Sequence, residues 1–319
     1  MTGGCGMKRY YLSKLGQAII TITLVVLVVF ALLRFMPTAG YFSKEQWKDM
    51  SEPEKTAYLR SLGVLDPLLV QLRRFVTGLF SGDLGRSIVM YPNMPIASVL
   101  GDKMAHSLLL NLLSWFFSAL IGMPLGLAMA SRKGGLTDKL GTLYVVIIRA
   151  VPSIIIHFFI QIYCSRWLGL PLLFYLEQPI SWILPILSMS IGSIAGYGVW
   201  LRRYIVDEEN KDYIKFARVK GLSQRYIMWR HVLRNAMLPI VTSLGMSVSG
   251  LIGGSVVIEQ IFNWNGMGTL FLTANNTNDY PLMMGIMLFL SSFALLANLV
   301  TDLLYSLLDP RVSAGGGRR

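Results

Sequence analysis

The stretch DYIKFARVKGLSQRYIMWRHVLRNAMLP, Asp212 to Pro239, decides how the rest of the chain is read. It is the longest strongly basic segment between apolar runs. Lys215, Arg218, Lys220, Arg225, Arg230 and Arg234 stand against a single acid, Asp212. The pattern predicts two short helices broken at Gly221-Leu222-Ser223. Gly221 suits the position just past a helix, where φ is positive, and Ser223 suits a cap that accepts from the next helix's free N–H groups. Tyr213, Phe216, Ala217 and Lys220 share one face of the first helix by i, i+3, i+4, i+7 spacing. Tyr226, Trp229, Leu233 and Ala236 do the same on the second. Pro239 then starts or kinks another apolar run. A basic amphipathic pair of this kind suits a docking element on the cytoplasmic side of a membrane. It equally suits a solvated loop lying against lipid.

Composition favours the membrane. Of 319 residues, 54% are hydrophobic and 14% charged, against roughly a quarter charged in soluble domains. The net charge of +12 does not point to nucleic acid, because the cations cluster at the ends of apolar runs. Cys5 and Cys164 fit no metal or redox spacing.

Six runs are long enough to cross ~30 Å of hydrocarbon at ~1.5 Å per residue. They are Leu12–Met36, Ser107–Ala130, Leu140–Cys164, Trp182–Leu201, Leu238–Phe262 and Leu282–Leu308. The predicted fold is therefore all-α and integral to the membrane. The 202–237 loop carries nine cations, whereas 165–181 carries only Arg166 and 263–281 none. The bias predicts that both termini and the 202–237 loop are cytoplasmic. Residues 37–106 hold eight cations and seven acids, and loops that long translocate largely regardless of charge.

That gives four segments: 1–36 with the first helix, an extracytoplasmic helical insertion over 37–106, a five-helix part over 107–310, and a tail over 311–319. The insertion reads as folded. Ser51-Glu52-Pro53-Glu54 fits a capping box, Gly63 ends that helix, and Asp66-Pro67 opens another. Leu68, Leu69, Leu72, Phe75, Val76 and Leu79 form the apolar face of that second helix, which must pack on the spans or lie in the interface.

Small residues recur every four positions at Ser188, Gly192 and Gly196, and again at Gly245, Ser249 and Gly253. That spacing allows close helix approach in lipid and predicts packing within the chain, with a subunit interface or a lined pathway as alternatives. Four polar residues inside the spans are candidate functional groups: Arg149, His157, Glu259 and Asp302. Arg149 precedes Ala150-Val151-Pro152, where a kink would open a polar cavity.

Three ordered blocks carry a resemblance to a known family. The first runs from Gly63-Val64-Leu65-Asp66-Pro67 to Gly82-Asp83-Leu84-Gly85-Arg86-Ser87. The second is Asp212 to Ser223, followed by Arg230-His231, Leu233-Arg234-Asn235-Ala236 and Leu238-Pro239. The third runs from Gly254-Ser255-Val256-Val257-Ile258-Glu259 through Phe262-Asn263-Trp264-Asn265-Gly266-Met267-Gly268 to Asp279-Tyr280-Pro281 and Leu308-Asp309-Pro310-Arg311. Together they resemble the "B"-type permease subunit of binding-protein-dependent ABC importers of dipeptides and oligopeptides, and the second block is similar to that family's EAA loop. Lys215 and Phe216 stand where the general pattern has Glu and Ala, and Asn265 where the branch usually has proline.

The resemblance implies a type I importer permease that forms half of a pathway for peptides. It implies a heterodimer with a second homologous permease, two ABC ATPase subunits and an extracytoplasmic solute-binding protein, in a bacterial or archaeal cell membrane. It also implies that 211–223 forms a coupling helix seated in an ATPase cleft, with Asp212, Tyr213, Phe216, Ala217, Lys220, Gly221, Leu222 and Ser223 as the contributing residues. No G-x-x-x-x-G-K-[ST] is present, so ATP and Mg are expected in the ATPase subunits, and this chain is expected to bind no cofactor or metal. Nickel, glutathione or an oligosaccharide are alternative cargoes in the same class. An ion-gradient-driven carrier is the alternative from a different class. An intramembrane enzyme finds no H-E-x-x-H or G-x-S-x-G to support it.

Overall fold

The computed structural model of the chain describes residues 3–42, 44–247 and 255–308. They are almost wholly helical, and packing sorts them into two compact bodies: Met1–Ser107 with Asn265–Arg319, and Leu108–Trp264.

In the first body, α1 (Gly3–Phe35) runs alongside α15 (Tyr280–Leu308). Between them in sequence come α2 (Lys44–Asp49), α3 (Glu52–Ser61), α4 (Leu68–Phe80) and the start of α5 (Ile96–Ser131). The predicted cap of α3 is present: the Glu54 carboxylate accepts from the Ser51 N–H and hydroxyl, both at 2.7 Å. Gly63, with φ +70, ends the turn after α3, and Pro67 precedes α4. The apolar face expected on α4 is only partly used. Phe75 and Leu79 pack against the core formed by Val29, Leu100, Leu270 and Leu282, while Leu68 and Leu69 are exposed. Unsatisfied polar groups are costly away from water, yet residues 85–95 form no regular element. Their backbone is held instead by an Arg86–Pro95 bridge and by Asp279, described below.

The second body holds the rest of α5, then α6 (Leu136–Ala150), α7 (Ser153–Phe159), α8 (Ser165–Leu168) and α9 (Ile183–Glu209). It continues with α10 (Asp212–Val219), α11 (Gln224–Ile227), α12 (Leu233–Ser247) and α13 (Val256–Phe262). A π-helical turn over Ile160–Cys164 joins α7 to α8, and another over Met228–Val232 joins α11 to α12. The last short helix, α14 (Met267–Asn276), returns to the first body.

Among the described residues, four helical stretches are long and apolar enough to cross a membrane: Leu15–Leu32, Ile96–Ser131, Pro179–Glu209 and Tyr280–Leu299. The third expected span, 140–164, is not one rod. It is Leu136–Ala150 and Ser153–Leu168, bent by 107°. Pro152 supplies no N–H and forces its predecessor out of the helical region, so Val151 is extended at φ −89, ψ 131. The fifth expected span runs through 248–254, which lie outside the described residues.

Within the second body, α5 and α9 meet closely. A Cβ added at Gly122 would sit 2.9 Å from the Ile194 carbonyl oxygen, and one at Gly126 would sit 2.6 Å from that of Gly198. One and two turns earlier on α5, Ser118 donates to the Ser190 carbonyl at 3.3 Å, and Ser190 donates to the Ser114 carbonyl at 3.1 Å. This is a small-residue seam of the kind that lets backbones approach in lipid.

Candidate functional site

The basic stretch folds into the expected two-helix elbow. α10 stops at Val219, Gly221 takes φ +79, and the Ser223 hydroxyl accepts from the Tyr226 N–H at 3.3 Å. A Cβ at Gly221 would meet nothing within 4 Å, so its backbone torsion, not crowding, is what calls for glycine.

The faces of the elbow differ from those expected. The buried residues of α10 are Ile214 and Ala217, whereas Phe216 and Lys220 are exposed and Tyr213 is exposed only in part, at 38%. Ala217 therefore packs into this chain's own core beside Leu201, Ile205 and Ile227. On the second helix Tyr226 and Trp229 are exposed, and Ile227, Val232, Ala236 and Ile240 are buried. The step from Ile227 to Val232 is five residues, and the following steps are four. The π turn inserts one residue there and rotates the apolar stripe off the simple helical register.

The outward surface carries Phe216 (66% exposed), Val219 (86% exposed), Leu222 and Trp229. Around them stand Lys215, Arg218, Lys220, Arg225 and Arg230. The Lys215 ammonium, 2.8 Å from Asp212, holds that carboxyl below the usual range. Beneath the surface lies a polar knot absent from the expectations. The Tyr213 hydroxyl donates to Glu208 at the end of α9, and Asn235 of α12 donates to the Tyr213 oxygen at 2.7 Å. The Lys211 ammonium sits 2.5 Å from the other Glu208 oxygen. Burial, then the Glu208 carboxylate, pushes the Tyr213 phenol above its ordinary value.

The glycines of the first small-residue stripe form no seam among the described residues. Added Cβ atoms at Gly192 or Gly196 would meet nothing within 4 Å. Gly196 opens onto a cleft of about 470 Å³ lined by Ser193, Tyr197, Trp200, Tyr204, Ile240 and Ser243. Ser188 is buried, 2.9 Å from the His157 ring. Of the second stripe, Gly245 lies in α12, while Ser249 and Gly253 fall outside the described residues.

The four intramembrane candidates lie on four different helices. Arg149 is exposed at the end of α6, and His157 bonds Ser188. Glu259 is fully buried in α13, and the backbone of Asp302 lies in α15 with its side chain outside what is described.

Two buried carboxylates are not among the candidate residues expected from the sequence. Asp138, at the start of α6, takes a two-pronged bond from Arg202 of α9, at 2.5 and 2.8 Å, and the Gly134 N–H at 2.8 Å. Asp279 accepts from the Ser87 hydroxyl at 2.6 Å and from the N–H groups of Val89 and Met90 at 3.0 and 2.9 Å. That bond ties the end of the first sequence block to the Asp279-Tyr280-Pro281 part of the third.

Residues 122–314 match the model of the family described as binding-protein-dependent transport system inner membrane components. The dipeptide transport system permease protein DppB of Lactococcus lactis subsp. cremoris (strain MG1363) is 31% identical over 313 residues, covering 96% of this chain and 99% of that one. The glutathione transport system permease protein GsiC of Salmonella paratyphi A is 30% identical with the same coverage. Among solved structures, inward-facing forms of the MetNI methionine ABC transporter superpose with a TM-score of 0.55 at 17% identity, over 66% of this chain and 96% of that one. The long apolar helices, the elbow between two of them and this likeness give the type I importer permease fold. With more than half of its length matched to the family model, and a relative of equal length at 31% identity, the chain belongs to the binding-protein-dependent transport system inner membrane components.

Proposed function

We propose that this chain is the permease subunit of an ATP-driven peptide importer, forming half of the translocation pathway and receiving force through the 211–223 elbow. The observation that carries this reading is the elbow itself: a short basic helix seated on the chain's own core, with Phe216, Lys220, Gly221, Leu222 and Ser223 all facing outward. Exposed aromatic and apolar side chains ringed by cations suit a partner's cleft better than water. Ala217 contributes from below by anchoring the helix, and Asp212 by pairing with Lys215. ATP and Mg belong to two ATPase subunits, and cargo reaches the pathway from an extracytoplasmic binding protein. A second homologous permease completes the pathway, with the open Gly192–Gly196 face of α9 toward it or toward the cargo. The positive-inside bias puts both termini and the elbow in the cytoplasm.

The test is uptake by proteoliposomes holding the assembled complex, its binding protein and ATP, with labelled dialanine and labelled glutathione as cargo. Glutathione is the second reading, since a glutathione permease is as close as 30% identical. ATP-dependent accumulation of dialanine is expected, and Gly221→Glu is expected to abolish it with ATPase subunits lost or uncoupled. Uptake driven by an ion gradient without ATP, or a Gly221→Glu complex that couples normally, overturns the reading.

A further inference from the structure

The elbow is joined to the second body in two different ways. Most of the joint is apolar: Ile214, Ala217, Ile227 and Val232 against Leu201 and Ile205. Apolar packing has little directional preference, so such a joint permits small sliding and rotation. The exception is the Tyr213 oxygen. It donates to Glu208 on α9 and accepts from Asn235 on α12, while its own ring belongs to the first turn of α10. Three helices therefore meet at one atom. Glu208 is itself buried and is fixed from its other oxygen by Lys211. A phenol can donate one hydrogen bond along a direction set by its planar ring, and a charged acceptor strengthens it. The sequence places these groups at 208, 213 and 235, with the π turn between the last two.

We infer that Tyr213, with Glu208 and Asn235, is a positioning group that sets the angle of α10 and makes α9 and α12 move with it. The inference rests on the coupling reading above, and it assigns Tyr213 an inward role distinct from contact with the ATPase. Removing the hydroxyl alone should leave the ring in place and let α10 swivel on its apolar seat.

The test uses Tyr213→Phe in the assembled transporter. The first readout is cargo moved per ATP hydrolysed, with whichever of labelled dialanine and labelled glutathione the unmodified complex accumulates. A five- to tenfold fall in that ratio is expected, with ATPase subunits still bound. Glu208→Gln keeps an oxygen for the phenol and should retain at least half of the ratio. The second readout is the distance distribution between spin labels at positions 203 and 215, in a background without Cys5 and Cys164. It should broaden in Tyr213→Phe and stay narrow in Glu208→Gln. An unchanged ratio and an unchanged distribution overturn the inference. So does loss of the ATPase subunits from Tyr213→Phe, which would make the phenol a docking contact. If Tyr213→Phe does not accumulate, Asn235→Ser leaves a side chain too short to reach the Tyr213 oxygen or Glu208, and releases α12 from the knot with the phenol–Glu208 bond in place. A two- to threefold fall supports the inference, and none overturns it. Failure of the coupling reading looks different: the unmodified complex itself would transport without ATP.

Discussion

Helix α9 presents two contrasting sides, each marked by small residues. On one side Ser190, Ile194 and Gly198 lie against Ser118, Gly122 and Gly126 of α5, so tightly that no side-chain carbon can be added at Gly126. On the other, Gly192 and Gly196 have nothing within reach of an added Cβ. The spacing is the same, so spacing alone does not distinguish a seam from a vacancy. What differs is the company. The closed side is locked by directional bonds to neighbouring helices: Arg202 to Asp138, Tyr144 to the Ile191 carbonyl at 2.6 Å, and the serine pair. The open side is bordered by the rings of Tyr197, Trp200 and Tyr204 around a cleft.

The contrast can be broken in order of severity. Gly126→Val puts carbon within 2.6 Å of a backbone oxygen that cannot step aside, and overpacking of this kind costs about 3 kcal/mol. Greatly reduced abundance in the membrane and a lower melting temperature in detergent are expected. Asp138→Asn removes the charge opposite Arg202 in a pair whose acid is nearly buried and whose guanidinium is 28% exposed. Between surface and fully buried pairs, a cost of about 2 kcal/mol is expected, read as an earlier melting transition. Tyr144→Phe loses a single bond to a backbone carbonyl and should cost about 1 kcal/mol in the same assay. Gly192→Ala and Gly196→Ala close the series. They should leave melting unchanged or raise it slightly, because alanine favours helix by up to about 1 kcal/mol over glycine. If they destabilise as Gly126→Val does, the two sides of α9 are not different in kind.

Much of this arrangement was legible. The break at Gly221 and the cap at Ser223 follow from local torsion and hydrogen-bonding chemistry, as does the capping box at Ser51, and all are present. The buried face of the elbow's second helix was not legible, because one inserted residue at Met228–Val232 shifts the period from which faces are read. Proline at 152 signalled a kink, but the 107° turn depends on Val151 becoming extended. The carboxylate ties had no local signal. Asp138 and Arg202 are 64 residues apart, and Ser87 and Asp279 are 192 apart, so only the folded chain brings them together. The seam at Gly122 and Gly126 has the same four-residue spacing as Gly192 and Gly196, so spacing alone does not single it out.

The π turn between α11 and α12 makes the elbow sensitive to chain length as well as to residue type. An in-frame loss of one codon within Met228–Val232 would let the segment relax to ordinary α-helix. The five-residue step from Ile227 to Val232 would become the four of an ordinary helix, so the buried stripe would stay aligned across the joint. Loss of a second residue would find no such slack: everything upstream would turn by about 100° and draw back by ~1.5 Å relative to α12, and Asn235 would no longer meet the Tyr213 hydroxyl.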